Sequence, residues 1–183
     1  MPWSSVGQIL NANDESLARF LPAVTGLTEE QERFRPAVES WSIAEIVEHV
    51  ALVNRNFLRI IARLYQQAID AGAGPALPLE INPLLSSADP DRRQRVEAPE
   101  RVRPQGTQSI ASSVDQLHEV ASGLRTLQSQ LEAVDLSGPT IPHFLGQLNA
   151  YQWLVLLGEH QDRHLAQIGG IKASPGYPVK FPD

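Results

Sequence analysis

The sequence predicts an all-α fold, a four-helix bundle with a long crossover between the second and third helices. Four segments carry apolar residues at the spacing of three and four that is typical of one helix face. A proline-rich segment separates the second of them from the third. We find no sustained strand alternation, hairpin turn signal or internal repeat. The chain of 183 residues is long enough for a sizeable core, and we expect residues 1–183 to form a single domain.

The first helix is expected at about residues 4–24. Its apolar residues fall on one face: Val6, Ile9, Leu10, Leu17, Phe20 and Leu21. Residues 25–40 are more polar and contain Gly26 and Pro36, which favours a connection with one helical turn at residues 28–34. Thr28 is the candidate N-cap of that turn, and Gln31 is its capping-box partner.

The second helix is expected at residues 42–71. Ser42 is a good N-cap, and Glu45 stands three residues later, as a capping box requires. The apolar stripe is broad: Ile43, Ile46, Val47, Val50, Val53, Phe57, Ile60, Ile61 and Leu64. The sequence AGAG that follows is typical of a helix end.

Residues 72–105 predict an irregular crossover. Six prolines fall in this segment, together with a cluster of charged residues from Asp89 to Arg95. One short helix is expected around Arg92. A connection of this length without secondary structure is uncommon unless it has a function or moves.

The third and fourth helices are expected at residues 107–134 and 149–168. The third has a clean stripe: Ile110, Val114, Leu117, Val120, Ala121, Leu124, Leu127 and Leu131. We expect the fourth to start around Asn149 and to be stopped by Gly169 and Gly170. The proline-punctuated tail, residues 172–183, is expected to be extended.

Composition excludes several classes of function. The chain has no cysteine, so disulfides, thiolate ligands and a cysteine nucleophile are excluded. A net charge of −6 argues against nucleic-acid binding, which usually needs a basic face. The N-terminal residues lack a signal-peptide pattern, and no apolar run is long enough to cross a bilayer. We therefore expect a cytoplasmic protein with no membrane partner.

Two histidines on the fourth helix are the main candidates for chemistry. His160 and His164 are four residues apart, so they lie one above the other on one helix face. They continue the inward stripe formed by Trp153, Leu156 and Leu157. Such a pair can reach one metal ion, although buried histidines also occur as hydrogen-bonded core residues.

A third histidine, His49, lies on the second helix and can point into the bundle from there. Metal sites in bundles are built from side chains on facing helices. Three histidines that leave one position open are typical of a catalytic metal site, and neutral imidazole suits zinc, nickel, copper or iron. The HExxH motif is excluded because Gln161 follows His160. The di-iron bundle motif is excluded because no glutamate precedes any of the three histidines by three residues.

The segments WSIAEIVEHV, HFLGQLNAYQW and GEHQDRHLAQI, in this order, resemble the DinB/YfiT-like superfamily. The resemblance also covers the order and spacing of the helices, so it spans most of the chain. It implies a bundle that binds one divalent metal through His49, His160 and His164. Zinc or nickel is expected, with iron as an alternative.

The superfamily includes metal-dependent hydrolases and thiol-dependent S-transferases or isomerases, and many members are dimers. In these enzymes the metal activates water or a low-molecular-weight thiol such as bacillithiol, mycothiol or glutathione. The resemblance therefore implies a small-molecule substrate, a homodimer and, for the S-transferases, an exogenous thiol.

Glu45 is the candidate catalytic residue. It lies one turn before His49 and can act as a general base or as a hydrogen-bond partner of that histidine. The capping box is an equally good explanation for it. Asn56 and Gln167 are further candidates for the lining of the site, whereas Asp162 and Arg163 should face away from it.

The remaining candidates have simpler interpretations. His143 is expected to pack or cap in a loop, and His118 to be solvated. Trp41 and Trp153 are expected to be packing residues. The arginines at 92, 93 and 95 could hold an anionic substrate, but their interleaved acidic neighbours favour a solvated loop.

Three functional interpretations stay open at this point. The chain is a metal-dependent hydrolase or thiol S-transferase, or it is a non-catalytic metal-binding or stress-associated dimer. In the third, the three histidines are structural. The sequence does not decide between water and a thiol as the nucleophile.

Overall fold

A computed structural model describes residues 2–85 and 98–179, which are mostly helical and confirm the all-α fold. The helices are α1 (Val6–Val24), α2 (Glu29–Arg33), α3 (Ile43–Asp70), α4 (Ile110–Ala133) and α5 (Ala150–Lys172). A 3-10 turn covers Glu100–Val102, and two short strands are β1 (Ile141–His143) and β2 (Gly146–Leu148). Among these residues, no helix combines the length and apolar character that crossing a membrane requires. The short helix expected around Arg92 lies outside the described residues.

Helices α2, α3 and α5 begin directly after the polar N-cap residues at which the sequence predicts a helix start. The side chain of Ser42 accepts from the backbone N–H of Glu45, and Glu45 accepts from the backbone N–H of Ser42, so the predicted capping box is confirmed. The box predicted for Thr28 and Gln31 is confirmed in the same way at the start of α2. Asn149 caps α5 through a third box, which the sequence analysis did not identify.

The four long helices have the order up, down, down, up. Helices α1 and α5 are parallel, because their hydrogen-bonded pairs advance together: Asn13 with Leu154, Ser16 with Gly158, and Arg19 with Asp162. Helix α3 is antiparallel to α5, since His49 contacts His164 and Phe57 contacts Trp153. Helix α4 is antiparallel to α1, because Asp14 pairs with Arg125 whereas Gly7 lies beside Glu132.

This order explains the length of the crossover. Helices α3 and α4 are parallel neighbours, so the chain must return along the bundle before α4 begins. The 28 residues of α3 span about 42 Å at 1.5 Å per residue. A short turn cannot cover that distance.

The core consists of two apolar clusters with a polar layer between them. One cluster includes Phe57 and Leu154, and the other includes Phe20 and Ile46. Along the helices, a set of buried polar residues separates the two clusters: Asn13, Ser16, His49, Asn54, Gln161 and His164. Buried polar groups are costly unless they are paired, so this layer is the place to look for function.

A short hairpin, for which the sequence shows no signal, lies before α5. Strands β1 and β2 pair antiparallel, with His143 opposite Gly146. Each strand has only three residues, which is too short for a pattern of alternation. The loop residues are Phe144 and Leu145 in place of the Asn-Gly type of signal, so the usual hairpin signature is absent.

The predicted stop of the fourth helix at Gly169 and Gly170 was wrong, because α5 continues to Lys172. Glycine weakens a helix interior by about 1 kcal/mol but does not end it. Burial of Ile171 favours the extra turn, and the Lys172 ammonium donates a hydrogen bond to the Ala23 carbonyl oxygen at 2.6 Å. Tertiary contacts therefore outweigh the local helix-breaking tendency.

Candidate metal centre

Three histidines from two antiparallel helices meet in the polar layer. His49 lies in the second turn of α3, and His160 and His164 lie one turn apart on α5. One ring nitrogen of each can be chosen so that all three atoms lie within 4.8 Å of one another. Three ring nitrogens this close together can contact a single metal ion, as a mononuclear site requires.

A backbone carbonyl orients His49. Its Nδ1 lies 2.6 Å from the carbonyl oxygen of Val102, in the 3-10 turn at the end of the crossover. A carbonyl oxygen only accepts, so Nδ1 carries the hydrogen and donates it. The Nε2 atom of His49 then keeps its lone pair for a ligand, an arrangement that metal-binding histidines commonly show.

Gln167 orients His164 in the same way. The Nδ1 of His164 lies 2.9 Å from Oε1 of Gln167, one turn further along α5. Because an amide oxygen accepts, Nδ1 donates and Nε2 is left with its lone pair. This contact supports the expectation that Gln167 contributes to the site.

The distance between the Nε2 atoms of His160 and His164 is compatible with a shared metal ion. Their Nε2 atoms lie 3.1 Å apart, close to the ~3.4 Å between two nitrogens that share a tetrahedral zinc at 2.0–2.1 Å. Without a cation, His160 can relieve this approach only by donating its Nε2 hydrogen to His164. The Nδ1 of His160 is buried with no hydrogen-bond partner among the described residues in either case, as a bare acceptor when Nε2 donates or as an N–H when Nε2 binds a cation.

Burial favours the neutral form of all three imidazoles. Burial lowers the pKa of His164 to about 3, with the charge of His49 adding to the effect. Burial also lowers the pKa of His160 well below its usual value, and the charges of His164 and His49 lower it further. The pKa of His49 is lowered by burial, against the opposing bond to Val102. Neutral rings are the protonation state that metal binding needs.

Aromatic side chains surround the three rings. Trp41 packs on His49 with ring centroids 4.9 Å apart, and Phe57 lies 6.0 Å from His160. Trp153 packs on Phe57 and donates its indole N–H to the carbonyl oxygen of Leu148. The two tryptophans thus pack as expected. An apolar wall of this kind limits the access of water and controls the dielectric around a metal.

The candidate catalytic residue, Glu45, is engaged elsewhere. One carboxylate oxygen accepts from the backbone N–H of Ser42 at 2.8 Å, and the other lies 2.6 Å from the guanidinium of Arg35. Only 14% of its side chain is exposed. The structure therefore gives Glu45 a capping and ion-pairing role, and its catalytic role stays a prediction.

The other predicted residues lie outside the three-histidine cluster. His143 packs on Trp153 at 5.1 Å, and burial lowers its pKa. His118 is exposed, as expected. Asp162 faces α1, where it accepts from Ser16 and pairs with Arg19. Asn56 is half-buried in α3. The arginines at 92, 93 and 95 lie outside the described residues.

Sequence reasoning missed two glutamates beside the metal candidates. Glu48 precedes His49, is only 2% exposed, and accepts from the backbone N–H of Gly106 at 2.8 Å. Glu159 precedes His160 and accepts from the backbone N–H groups of Leu84 and Leu85 at 2.8–3.2 Å. Burial raises the pKa of Glu159, against the lowering effect of those two bonds. In the sequence, the one sign of a role for these two glutamates is that each directly precedes a candidate metal ligand.

Comparison with known proteins agrees with the fold and the cluster. The family model of the DinB superfamily matches residues 12–168, which include all three histidines. The chain is 27% identical over 149 residues to the uncharacterized protein YuaE of Bacillus subtilis (strain 168), and the match covers 80% of this chain and 86% of YuaE. No solved structure matches the chain at a comparable level of significance. A match over most of the chain establishes the family, and the protein belongs to the DinB superfamily.

Proposed function

We propose that the protein is a metal-dependent enzyme in which His49, His160 and His164 hold one divalent cation. The observation that carries this proposal is the orientation of the rings. Val102 and Gln167 accept from the Nδ1 atoms of His49 and His164, which leaves both Nε2 atoms free as ligands beside the Nε2 of His160. Neutral imidazole suits zinc, nickel, copper and iron alike, and the family resemblance leads us to propose zinc or nickel, with iron as an alternative.

Three protein ligands leave a fourth position for a reactant. A divalent cation held by the three histidines would act as a Lewis acid and would lower the pKa of a water bound at the fourth position toward neutrality. The described residues contribute orientation and exclusion of water through the Trp41 and Phe57 rings. The reaction class proposed is hydrolysis or S-transfer on a small electrophile. Any thiol in it comes from outside the chain, because the sequence has no cysteine.

The cleft nearest to the crossover end of the site is small, and none of the three histidines lines it. A polar cleft of about 280 Å³ lies beside the 3-10 turn that holds His49, and its lining includes Leu52, Arg101 and Thr107. Ligand pockets for small molecules have volumes of about 300–1,000 Å³. We propose a cytoplasmic homodimer acting on such a substrate.

A second candidate function is metal binding without catalysis. The engagement of Glu45 favours it, because both carboxylate oxygens are occupied by Ser42 and Arg35. On this view the protein binds its cation tightly but turns over no substrate.

The test combines metal analysis with a panel of ester, amide and thiol-transfer substrates. Wild-type protein should bind one zinc or nickel per chain, and His49→Gln, His160→Gln and His164→Gln should each lose it. His118→Gln is the matched control, since His118 is exposed on α4. Metal content that is unchanged in all three variants would contradict the proposed site.

Glu45→Gln then separates the two candidate functions. Glutamine keeps the capping box, so the fold should survive with a small loss of stability. If the wild type turns over a substrate and Glu45→Gln does not, Glu45 acts as a general base. Wild-type metal content with no turnover on any substrate supports the non-catalytic protein.

A further inference from the structure

The crossover has two described parts, residues 72–85 and 98–105, and a hydrogen bond attaches the chain at each of them to a residue that directly precedes a candidate metal ligand. At the end of the first part, the backbone N–H groups of Leu84 and Leu85 donate to the carboxylate of Glu159, which precedes His160. Directly after the second part, the backbone N–H of Gly106 donates to Glu48, which precedes His49. The same arrangement therefore occurs twice, on α5 and on α3.

The crossover also touches a candidate ligand directly. The Val102 carbonyl oxygen accepts from Nδ1 of His49 at 2.6 Å. Val102 is 6% exposed and belongs to the apolar cluster against which Leu84 and Leu85 pack. Hydrogen bonds and apolar contacts thus hold both described parts of the crossover to the bundle.

The two glutamates are unusual anchors. Burial of a carboxylate is costly unless it is hydrogen-bonded, and Glu48 is almost fully buried. Backbone N–H groups of an irregular segment likewise need partners. Charge-assisted bonds of this kind are stronger than neutral ones, so the anchors are well suited to dock a segment without regular secondary structure.

We propose that Glu48 and Glu159 are positioning residues that dock the described parts of the crossover and thereby couple them to cation binding at the three histidines. This inference rests on the proposed metal site. A cation on Nε2 of His49 makes its Nδ1–H a stronger donor to the Val102 carbonyl oxygen, which tightens the docked segment. By reciprocity, a docked crossover raises the affinity for the cation by the same factor.

The test measures zinc affinity by chelator competition and backbone hydrogen exchange by NMR. In the wild type, zinc should slow exchange at the amides of Leu84, Leu85 and Gly106 at least threefold. Glu48→Ala and Glu159→Ala should weaken zinc binding about tenfold, within the range that removal of supporting hydrogen bonds produces. Glu119→Ala is the matched control, because Glu119 is an exposed residue of α4.

Glu48→Gln provides the rescue, since an amide oxygen can still accept from Gly106. Its zinc affinity should return most of the way to that of the wild type. Zinc affinity of both alanine variants equal to that of Glu119→Ala would overturn the inference and leave the metal site intact. Hydrogen exchange at the amides of Leu84, Leu85 and Gly106 that is equally fast with and without zinc would also overturn the inference. Failure of the wild type to bind zinc would overturn the proposed function and the inference together.

Discussion

The Nε2 atoms of His160 and His164 lie 3.1 Å apart in the interior of the bundle. Both rings are on α5, one turn apart, and the ring of His49 closes the group from α3 at 4.9–5.2 Å between centroids. Neutral rings at this distance can share one hydrogen or bind one cation. The orientation of His49 and His164 favours the cation, because their Nδ1 atoms donate to Val102 and Gln167 and leave both Nε2 lone pairs available.

Removal of the Gln167 side chain should weaken metal binding. Gln167→Ala deletes the acceptor that fixes the Nδ1 hydrogen of His164. Loss of such a partner typically costs 10–100-fold in metal affinity, and we expect a value in that range for zinc. Gln130→Ala, at an exposed position of α4, is the control and should keep wild-type affinity. Equal affinities for the two variants would show that Gln167 does not support the site.

Two glycines of α5 should respond to alanine with opposite signs. A Cβ atom at Gly158 would lie 2.4 Å from Oδ1 of Asn13, whereas a Cβ at Gly169 meets nothing within 4 Å. Gly158→Ala should therefore destabilise the fold by about 1–3 kcal/mol. Gly169→Ala should stabilise it by up to about 1 kcal/mol, because alanine is the better helix former. Urea unfolding measures both, and a stabilising Gly158→Ala would show that α1 and α5 approach less closely than described.

Metal-free protein should lose stability as the pH falls below about 6.5. The pKa of His164 is lowered from 6.5 to about 3, so between these values the unfolded chain binds more protons than the folded one. Stability is then fully present above pH 6.5 and is lost progressively toward pH 3. At pH 5.5 the loss should be about 1.4 kcal/mol from His164 alone.

Urea unfolding of chelator-treated protein at pH 7.5 and pH 5.5 measures this loss. His164→Gln removes the titrating ring and should show a smaller difference between the two pH values. The same difference in wild type and variant would mean that His164 is not buried in its neutral form.

Much of the fold follows from local signals in the sequence. The capping boxes at Thr28 and Ser42 were recognisable because their partners stand three residues later. The pair His160 and His164 was recognisable because a separation of four keeps two side chains on one face. Periodicity thus predicts both the helices and the face that each presents to the core.

Other features depend on contacts that leave no mark in the sequence. The Val102 carbonyl and the Gly106 N–H are backbone groups that every residue of their type carries, so nothing distinguishes them before folding. The hairpin at residues 141–148 is too short for a pattern. The continuation of α5 past Gly169 depends on packing of Ile171, which local propensity does not include.

The most direct test of the metal centre is an anomalous difference map from crystals grown with zinc, recorded above and below the zinc absorption edge. The account predicts one strong peak per chain, about 2.0–2.1 Å from the Nε2 atoms of His49, His160 and His164. The electron-density map of the same crystals should show the Nδ1 atoms of His49 and His164 still within hydrogen-bond distance of the Val102 carbonyl oxygen and Oε1 of Gln167. A peak at other residues, or no peak at these three histidines in zinc-replete crystals, would contradict it.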